Sequence, residues 1–103
     1  MNMPLEKDPM DAAAEEAADI LKSLSNPARL RLLCALVPQS RTVGELEELL
    51  GASQSYVSRQ LMRLREEKIV TCVKSGRSVT YSLSDPRVRS VLERLYEVFC
   101  PAP

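Results

Sequence analysis

The sequence of 103 residues contains no histidine, no tryptophan and a single phenylalanine. Histidine is the commonest metal ligand and general base, so its absence argues against zinc enzymes and against Ser-His or Cys-His hydrolases. The three cysteines, Cys34, Cys72 and Cys100, form no C-x-x-C pair, which excludes a zinc ribbon and a thioredoxin-type motif. No apolar run approaches the roughly 18 residues that a membrane span needs, and the first residues lack the basic and apolar pattern that predicts a signal peptide. We therefore expect a cytoplasmic protein that is not an enzyme, has no metal or other cofactor and has no membrane partner.

Charge is distributed unevenly along the chain, although the formal net charge is zero. Residues 1–24 contain six acidic and two basic residues, whereas residues 53–81 contain six basic and two acidic residues. A basic segment of this kind is the electrostatic footprint of a nucleic-acid-binding surface. The length predicts one domain over residues 1–103, and the modest core that such a chain can bury favours a dimer.

Hydrophobic periodicity and capping residues predict about five helices. Residues 1–8 are expected to form a flexible tail, and Asp11 is the expected N-cap of a first helix that ends near Leu24. The later helices have stronger start signals, which are Asn26 with Pro27, the T-x-x-E capping box of Thr42 and Glu45, Ser53, and Asp85 with Pro86.

The third and fourth predicted helices are joined by a very short turn. Gly51 is suited to a left-handed C-cap, and the fourth helix has a buried stripe of Val57, Leu61 and Leu64. After this helix the pattern changes to alternating β-branched residues, with K-S-G-R as the turn of a hairpin. The predicted fold is mainly α with a small β-hairpin, a winged helix-turn-helix with a two-stranded wing.

The outer face of the fourth helix is polar, and no acid occurs between Ser53 and Arg65. Side chains near the start of such a helix reach base edges and phosphates in the major groove of double-stranded DNA, and basic residues of the wing bind the flanking backbone. The predicted DNA contacts are Ser53, Gln54, Ser55, Tyr56, Ser58, Arg59, Arg63, Lys74 and Arg77. Two alternatives stay open, a helix face that is merely solvated and a winged helix that binds protein. A redox enzyme or thiol carrier is disfavoured because no cofactor motif is present.

Three stretches of the chain resemble the ArsR/SmtB family of winged-helix repressors. They are LKSLSNPARLRLLCAL, TVGELEELLGASQSYVSRQLMRLREEKIV and SGRSVTYSLSDP, and the similarity extends from about residue 17 to residue 100. The resemblance implies a homodimer in which the first and last helices form the interface. It also implies binding to an operator of two-fold symmetry and release when an inducer is sensed.

The metal-binding positions of this family are not retained. Glu47 and Leu49 occupy the positions of the arsenic-type Cys-x-Cys pair, and the zinc-type site keeps Asp85 but has no histidine. Cys34 and Cys100 instead resemble the persulfide-sensing, BigR/SqrR-like branch of the family. That resemblance implies that reactive sulfur species join these two thiols by a disulfide or polysulfide bridge. A general redox signal, or a soft metal ion such as Cu(I) or As(III) bound by thiolates, is the alternative within the family.

An inert role for the cysteines also stays open. Cys34 lies on an apolar helical stripe, where a cysteine is commonly a small buried residue with a raised pKa. Arg31, one turn earlier, is expected to favour the thiolate, and Cys100 follows the last helix, where it is free to approach or withdraw. Cys72 lies in the first strand of the wing and is expected to be structural.

Overall fold

The computed structural model describes residues 8–100, and residues 1–7 and 101–103 lie outside the described part of the chain. The elements, in chain order, are α1 (Pro9–Leu24), α2 (Pro27–Ala35), β1 (Arg41–Thr42), α3 (Val43–Leu50), α4 (Gln54–Glu66), β2 (Val70–Ser75), β3 (Ser78–Leu83) and α5 (Pro86–Phe99). The helix-turn-helix of α3 and α4 is followed by the hairpin of β2 and β3. The predicted mainly α, winged helix-turn-helix fold is therefore confirmed.

Each of the five helices begins at a side-chain cap, as the local sequence dictates. Asn26 accepts hydrogen bonds from the amides of Ala28 and Arg29, and Thr42 and Glu45 form both bonds of the predicted capping box. The start of α1 differs from the prediction. Asp8, rather than Asp11, accepts a hydrogen bond from the amide of Met10 at 2.8 Å, and a proline occupies the first helical turn. The remainder of the predicted tail, residues 1–7, lies outside the described residues.

The ends of α3 and α4 both use a left-handed backbone. Gly51 caps α3 with a φ of 62°, as predicted from its lack of a Cβ atom. After α4, the amide of Lys68 donates to the carbonyl of Arg65 and the amide of Ile69 donates to the carbonyl of Leu64, both at 2.9 Å. This pair of bonds is a Schellman motif, and it places the non-glycine residue Lys68 at a φ of 64°. The motif directs the chain from the end of α4 into β2.

The small sheet is antiparallel and contains one strand more than the sequence predicted. The wing hairpin is confirmed, with Ser75 opposite Ser78 and a two-residue loop in which Gly76 has a φ of 62°. The additional strand β1 pairs with β3, so the strand order is β1-β3-β2. β1 lies directly before α3, and this pairing therefore fixes the wing against the start of the helix-turn-helix.

The core is formed where α2, α3, α4 and α5 meet. Its side chains with no more than 1% exposure are Leu32, Leu33, Leu36, Leu46, Val57, Leu61, Leu64, Val88 and Leu92. All three predicted stripe residues of α4 are among them. Cys34 of α2, expected on an apolar stripe, is half-buried and packs against this core.

Candidate functional site

The helix α4 presents a polar face opposite the stripe that anchors it. Ser55, Arg59 and Arg63 repeat at intervals of four residues and are exposed, whereas Val57, Leu61 and Leu64 have no exposed surface. Gln54, in the first turn, is also exposed, while Tyr56 and Ser58 are half-buried. The helix is thus held rigidly by one side and leaves hydrogen-bond donors and two guanidinium groups free on the other.

Ser53 has a structural task in addition to its predicted contact with DNA. Its hydroxyl accepts a hydrogen bond from the amide of Tyr56 at 3.2 Å and so caps α4. The remaining amides of the first turn point toward any ligand at this helix end, where the helix dipole favours a phosphate. The local geometry is compatible with the predicted role of the helix start, which stays a prediction.

The wing carries Lys74 on β2 and Arg77 in its two-residue loop, and both residues are exposed. Neither side chain makes an ion pair or a side-chain hydrogen bond within residues 8–100, as expected of cations that are free to bind phosphate. No acidic residue occurs on β2 or β3. The wing and the outer face of α4 are therefore both basic.

A polar network joins the end of α4 to α1 and α2, and the sequence did not predict it. Glu67, the C-cap of α4, accepts hydrogen bonds from the hydroxyl of Ser23 on α1 and from Nη2 of Arg29 on α2, the latter at 3.2 Å. The Arg29 side chain is 13% exposed, and its Nε atom is buried without a hydrogen-bond partner. These residues are separated by up to 44 positions in the chain, so no local sequence pattern predicts their contact.

Cys34 and Cys100 lie in the wall of one open groove, the cysteine groove. Its volume is about 900 Å³, and residues of α2, α3 and α5 and of the segment between α2 and α3 surround it. The apolar part of the wall includes Leu30, Val37, Leu50, Leu95 and Phe99. Cys34 is half-buried and Cys100 is exposed, and both are free thiols.

The cysteine groove changes the acidity of Cys34. Burial raises the pKa of the Cys34 thiol, and the nearby negative charge of the Cys100 thiolate raises that pKa further. The expectation that Arg31 would favour the Cys34 thiolate is therefore wrong. Arg31 uses Nη2 to donate to the carbonyl of Leu49 at 3.3 Å. The raised pKa favours the protonated form of Cys34, which still lines the groove.

Cys72 belongs to a different region of the molecule. It lies on β2 opposite Tyr81 of β3. Burial raises the pKa of the Tyr81 hydroxyl, and the charge of the Cys72 thiolate adds to this increase. The structure thus brings Cys34 and Cys100 together and places Cys72 in the sheet.

Metal-binding clusters and membrane-spanning helices do not occur among residues 8–100. In this range no three cysteine, aspartate or glutamate side chains are clustered closely enough to hold a metal ion. None of the helices in the same range has the length and apolar character to cross a membrane.

Comparison with known proteins relates the sequence and the fold of this chain to a family. Residues 26–71 match the family described as bacterial regulatory protein, arsR family. The biofilm growth-associated repressor of Xylella fastidiosa is 38% identical over 94 residues, covering 91% of this chain and 82% of that protein. The protein of the same name from Agrobacterium fabrum is 40% identical over 91 residues, which are 88% of this chain and 78% of that protein.

A solved structure gives the same relation in three dimensions. The crystal structure of the transcriptional repressor BigR from Xylella fastidiosa matches with a TM-score of 0.85 at 39% identity. The match covers 90% of this chain and 95% of that one. The chain therefore belongs to the arsR family of bacterial regulatory proteins, in its BigR-like branch, and is a DNA-binding transcriptional regulator rather than an enzyme.

Proposed function

We propose that the protein is a homodimeric repressor that binds operator DNA through α4 and the wing and leaves it when reactive sulfur species join Cys34 to Cys100. The observation that carries this proposal is the position of both thiols in one groove, where the charge of one thiolate raises the pKa of the other. A joint electrostatic effect requires the two sulfur atoms to be near each other. Cys72, on the sheet, does not line this groove.

The proposed reaction begins at Cys100, which is exposed, whereas Cys34 is half-buried and burial raises the pKa of its thiol. Cys100 attacks the terminal sulfur of a persulfide RSSH, takes that sulfur and releases the thiol RSH. The Cys34 thiol then attacks Sγ of the Cys100 persulfide, and its proton passes to the departing outer sulfur, so the disulfide forms and hydrogen sulfide leaves. Two thiols and one persulfide thus give one disulfide, one RSH and one H₂S, with no other oxidant. Further sulfur transfers before ring closure give longer bridges.

A covalent link across the groove would act on DNA binding through α2. Cys34 lies on the same helix as Arg29, whose guanidinium holds Glu67 at the end of α4. Cys100 directly follows α5, so the link would tie α2 to the end of this helix. Movement of α2 relative to α5 would therefore change how α4 is held, which supports a switch based on the spacing of two recognition helices.

Dimer formation through α1 and α5 is supported by apolar side chains that these helices leave uncovered. Leu21 of α1 is 57% exposed and Phe99 of α5 is 74% exposed. In a symmetric dimer the two copies of α4 would lie about 34 Å apart, one turn of DNA, and read two half-sites. Sedimentation at micromolar concentration tests this part of the proposal. A monomer that binds the operator at full strength would contradict it.

The proposed roles of α4 in reading bases and of the wing in binding the DNA backbone can be tested with two sets of variants. Gln54→Ala and Ser55→Ala should reduce discrimination between operator and unrelated DNA by about 1–3 kcal/mol if these side chains read bases. Lys74→Ala and Arg77→Ala should weaken binding to every sequence and reduce the salt dependence. Binding is measured by fluorescence anisotropy at several salt concentrations. If the variants of α4 change only nonspecific affinity, the base-reading role is wrong. DNA binding unchanged by all four variants would favour a protein-binding winged helix.

The sensing proposal is tested with three matched cysteine variants. Cys34→Ser and Cys100→Ser should each bind operator nearly as tightly as the reduced wild-type protein but should not be released by a persulfide. Cys72→Ser should respond normally. Mass spectrometry of tryptic peptides should show Cys34 linked to Cys100, with added sulfur visible as mass increments, and parallel treatments with peroxide and Cu(I) test the other inducers. Release that persists in the double variant lacking Cys34 and Cys100 would overturn the mechanism.

A further inference from the structure

The charged side chains in the wall of the cysteine groove are all of one sign. Apart from the thiols of Cys34 and Cys100, the ionic side chains of the described residues that line the groove are Arg31 and Arg41, and no aspartate or glutamate accompanies them. The rest of the wall is predominantly apolar, and two cationic groups in such surroundings attract an anion more strongly than they would in open solvent.

Both guanidinium groups are positioned by the backbone rather than neutralised by an acid. Nη2 of Arg31 donates to the carbonyl of Leu49 at 3.3 Å, and Nε of Arg41 donates to the carbonyl of Ala35 at 3.0 Å. Neither residue forms an ion pair within residues 8–100. Each guanidinium has five N–H donors, so each retains donors for a ligand. Planar donors of this kind match a carboxylate in a bidentate arrangement.

The dimensions of the groove suit an organic molecule better than a small inorganic ion. Pockets for organic ligands commonly enclose about 300–1,000 Å³, and the cysteine groove has about 900 Å³. An inorganic polysulfide would contact only a small part of this surface. A peptide-sized molecule would fill more of it and place a charged group and a sulfur atom at separate points of the wall.

We infer that the cysteine groove binds an organic persulfide that carries a carboxylate, with Arg31 and Arg41 holding the carboxylate while the persulfide sulfur reaches the cysteines. This inference rests on the proposed function and assigns to it the chemical class of the sulfur donor. The two arginines are binding residues for the donor and take no part in sulfur transfer. The reaction follows the balance given above, and the organic thiol is the leaving group.

The first experiment compares two donors that differ in charge. Glutathione persulfide carries carboxylates, whereas the persulfide of 2-mercaptoethanol carries none. The rate of formation of the link between Cys34 and Cys100 is followed by quenched mass spectrometry in wild-type protein, Arg31→Gln and Arg41→Gln. Glutamine keeps a donor for the backbone carbonyl and removes the charge. We expect each variant to react about tenfold more slowly with glutathione persulfide, because a hydrogen bond to a charged group is lost, and at an unchanged rate with the neutral donor.

Arg94→Gln is the matched control because Arg94 lies on α5 and does not line the groove. It should react like the wild-type protein with both donors. Equal effects of Arg31→Gln on the two donors would indicate a structural disturbance and would overturn the inference. Circular dichroism of each variant gives an independent check of folding.

A second experiment measures binding without reaction. S-methylglutathione carries the same carboxylates but cannot transfer sulfur, and its binding to the reduced full-length chain is followed by NMR titration. We expect shifts of groove residues in the wild-type protein and about tenfold weaker binding in Arg31→Gln and Arg41→Gln. No binding, or equal binding in all variants, would overturn the inference even if cysteine crosslinking occurs. Binding as expected without any crosslink from either donor would instead support the binding site and overturn the proposed sensing function.

Discussion

The helix α4 and the cysteine groove differ in how tightly they are packed. Val57, Leu61 and Leu64 of α4 have no exposed surface, so the helix is anchored along its length. At the groove, Cys34 is only half-buried, and Cys100, at the end of the last helix, is exposed. Reading DNA demands fixed distances between side chains, whereas sensing demands access and room to move. The two regions differ in the manner that these tasks require.

The largest expected difference between the two regions is in their contribution to stability. Leu61→Ala removes a fully buried side chain and should lower the free energy of unfolding by about 2–5 kcal/mol. Leu95→Ala, in the half-buried wall of the groove, should cost less than half as much because solvent already reaches that site. Urea denaturation at one fixed protein concentration measures both values. Equal costs would show that the groove is packed as tightly as the core.

The connection between the two regions depends on Glu67, and its loss should have the next largest effect. Glu67→Ala would leave the guanidinium of Arg29, only 13% exposed, without its acid. We expect the free energy of unfolding to fall by about 1–3 kcal/mol. This is less than for a fully buried ion pair, because the Glu67 side chain is 40% exposed. Operator affinity should also fall, since the Glu67 carboxylate connects the end of α4 to Ser23 of α1 and Arg29 of α2.

The control for Glu67 is a surface ion pair of the same chemistry. On α5, Nη1 of Arg94 lies 3.1 Å from Oε1 of Glu97, and the two side chains are 75% and 68% exposed. Glu97→Ala should therefore change stability by no more than about 0.5 kcal/mol and leave operator binding unaltered. A comparable loss from both substitutions would contradict the role assigned to the buried network.

The features that could be predicted from the sequence are those encoded within a few residues. The caps Asn26, Thr42, Ser53 and Asp85 act on amides two or three positions away, and all four were correct. The start of α1 was misplaced although its signal was present. Asp8 precedes Pro9 in the same way that Asn26 precedes Pro27, and reading this repeated pattern would have placed the cap correctly.

The features that were missed depend on contacts between distant residues. Strand β1 has two residues and exists because Arg41 pairs with Tyr81, forty positions later. The contact of Ser23 with Glu67 is equally non-local. The proximity of Cys34 and Cys100 followed only from the family resemblance, because helix periodicity does not show that α2 and α5 border one groove. The assignment of individual DNA-contacting side chains stays a prediction.

A smaller effect is expected at Lys68, where α4 passes into the wing. Its φ of 64° lies in the left-handed region, which costs a non-glycine residue about 1–2 kcal/mol. Glycine removes this cost but gains about 0.5–1 kcal/mol of backbone entropy in the unfolded chain. Lys68→Gly should therefore stabilise the protein by about 0.5 kcal/mol. Lys22→Gly, in the last turn of α1, should instead destabilise it by about 0.5–1 kcal/mol. Thermal denaturation of both variants tests this difference in sign.

The smallest effect concerns the acidity of Cys34 and tests whether the two groove thiols sense each other. Burial raises the pKa of Cys34 and the Cys100 thiolate raises it further, so Cys100→Ser should move that pKa downward while leaving it above the ordinary value. The rate of alkylation of Cys34 by iodoacetamide, followed by mass spectrometry as a function of pH, should then rise at lower pH in Cys100→Ser than in the wild-type protein. Cys72→Ser should leave the profile unchanged, because Cys72 contributes nothing to the shift. If the pH profile moved in Cys72→Ser but not in Cys100→Ser, Cys100 would have no electrostatic effect on the pKa of Cys34. That result would contradict the observation on which the proposed crosslink depends.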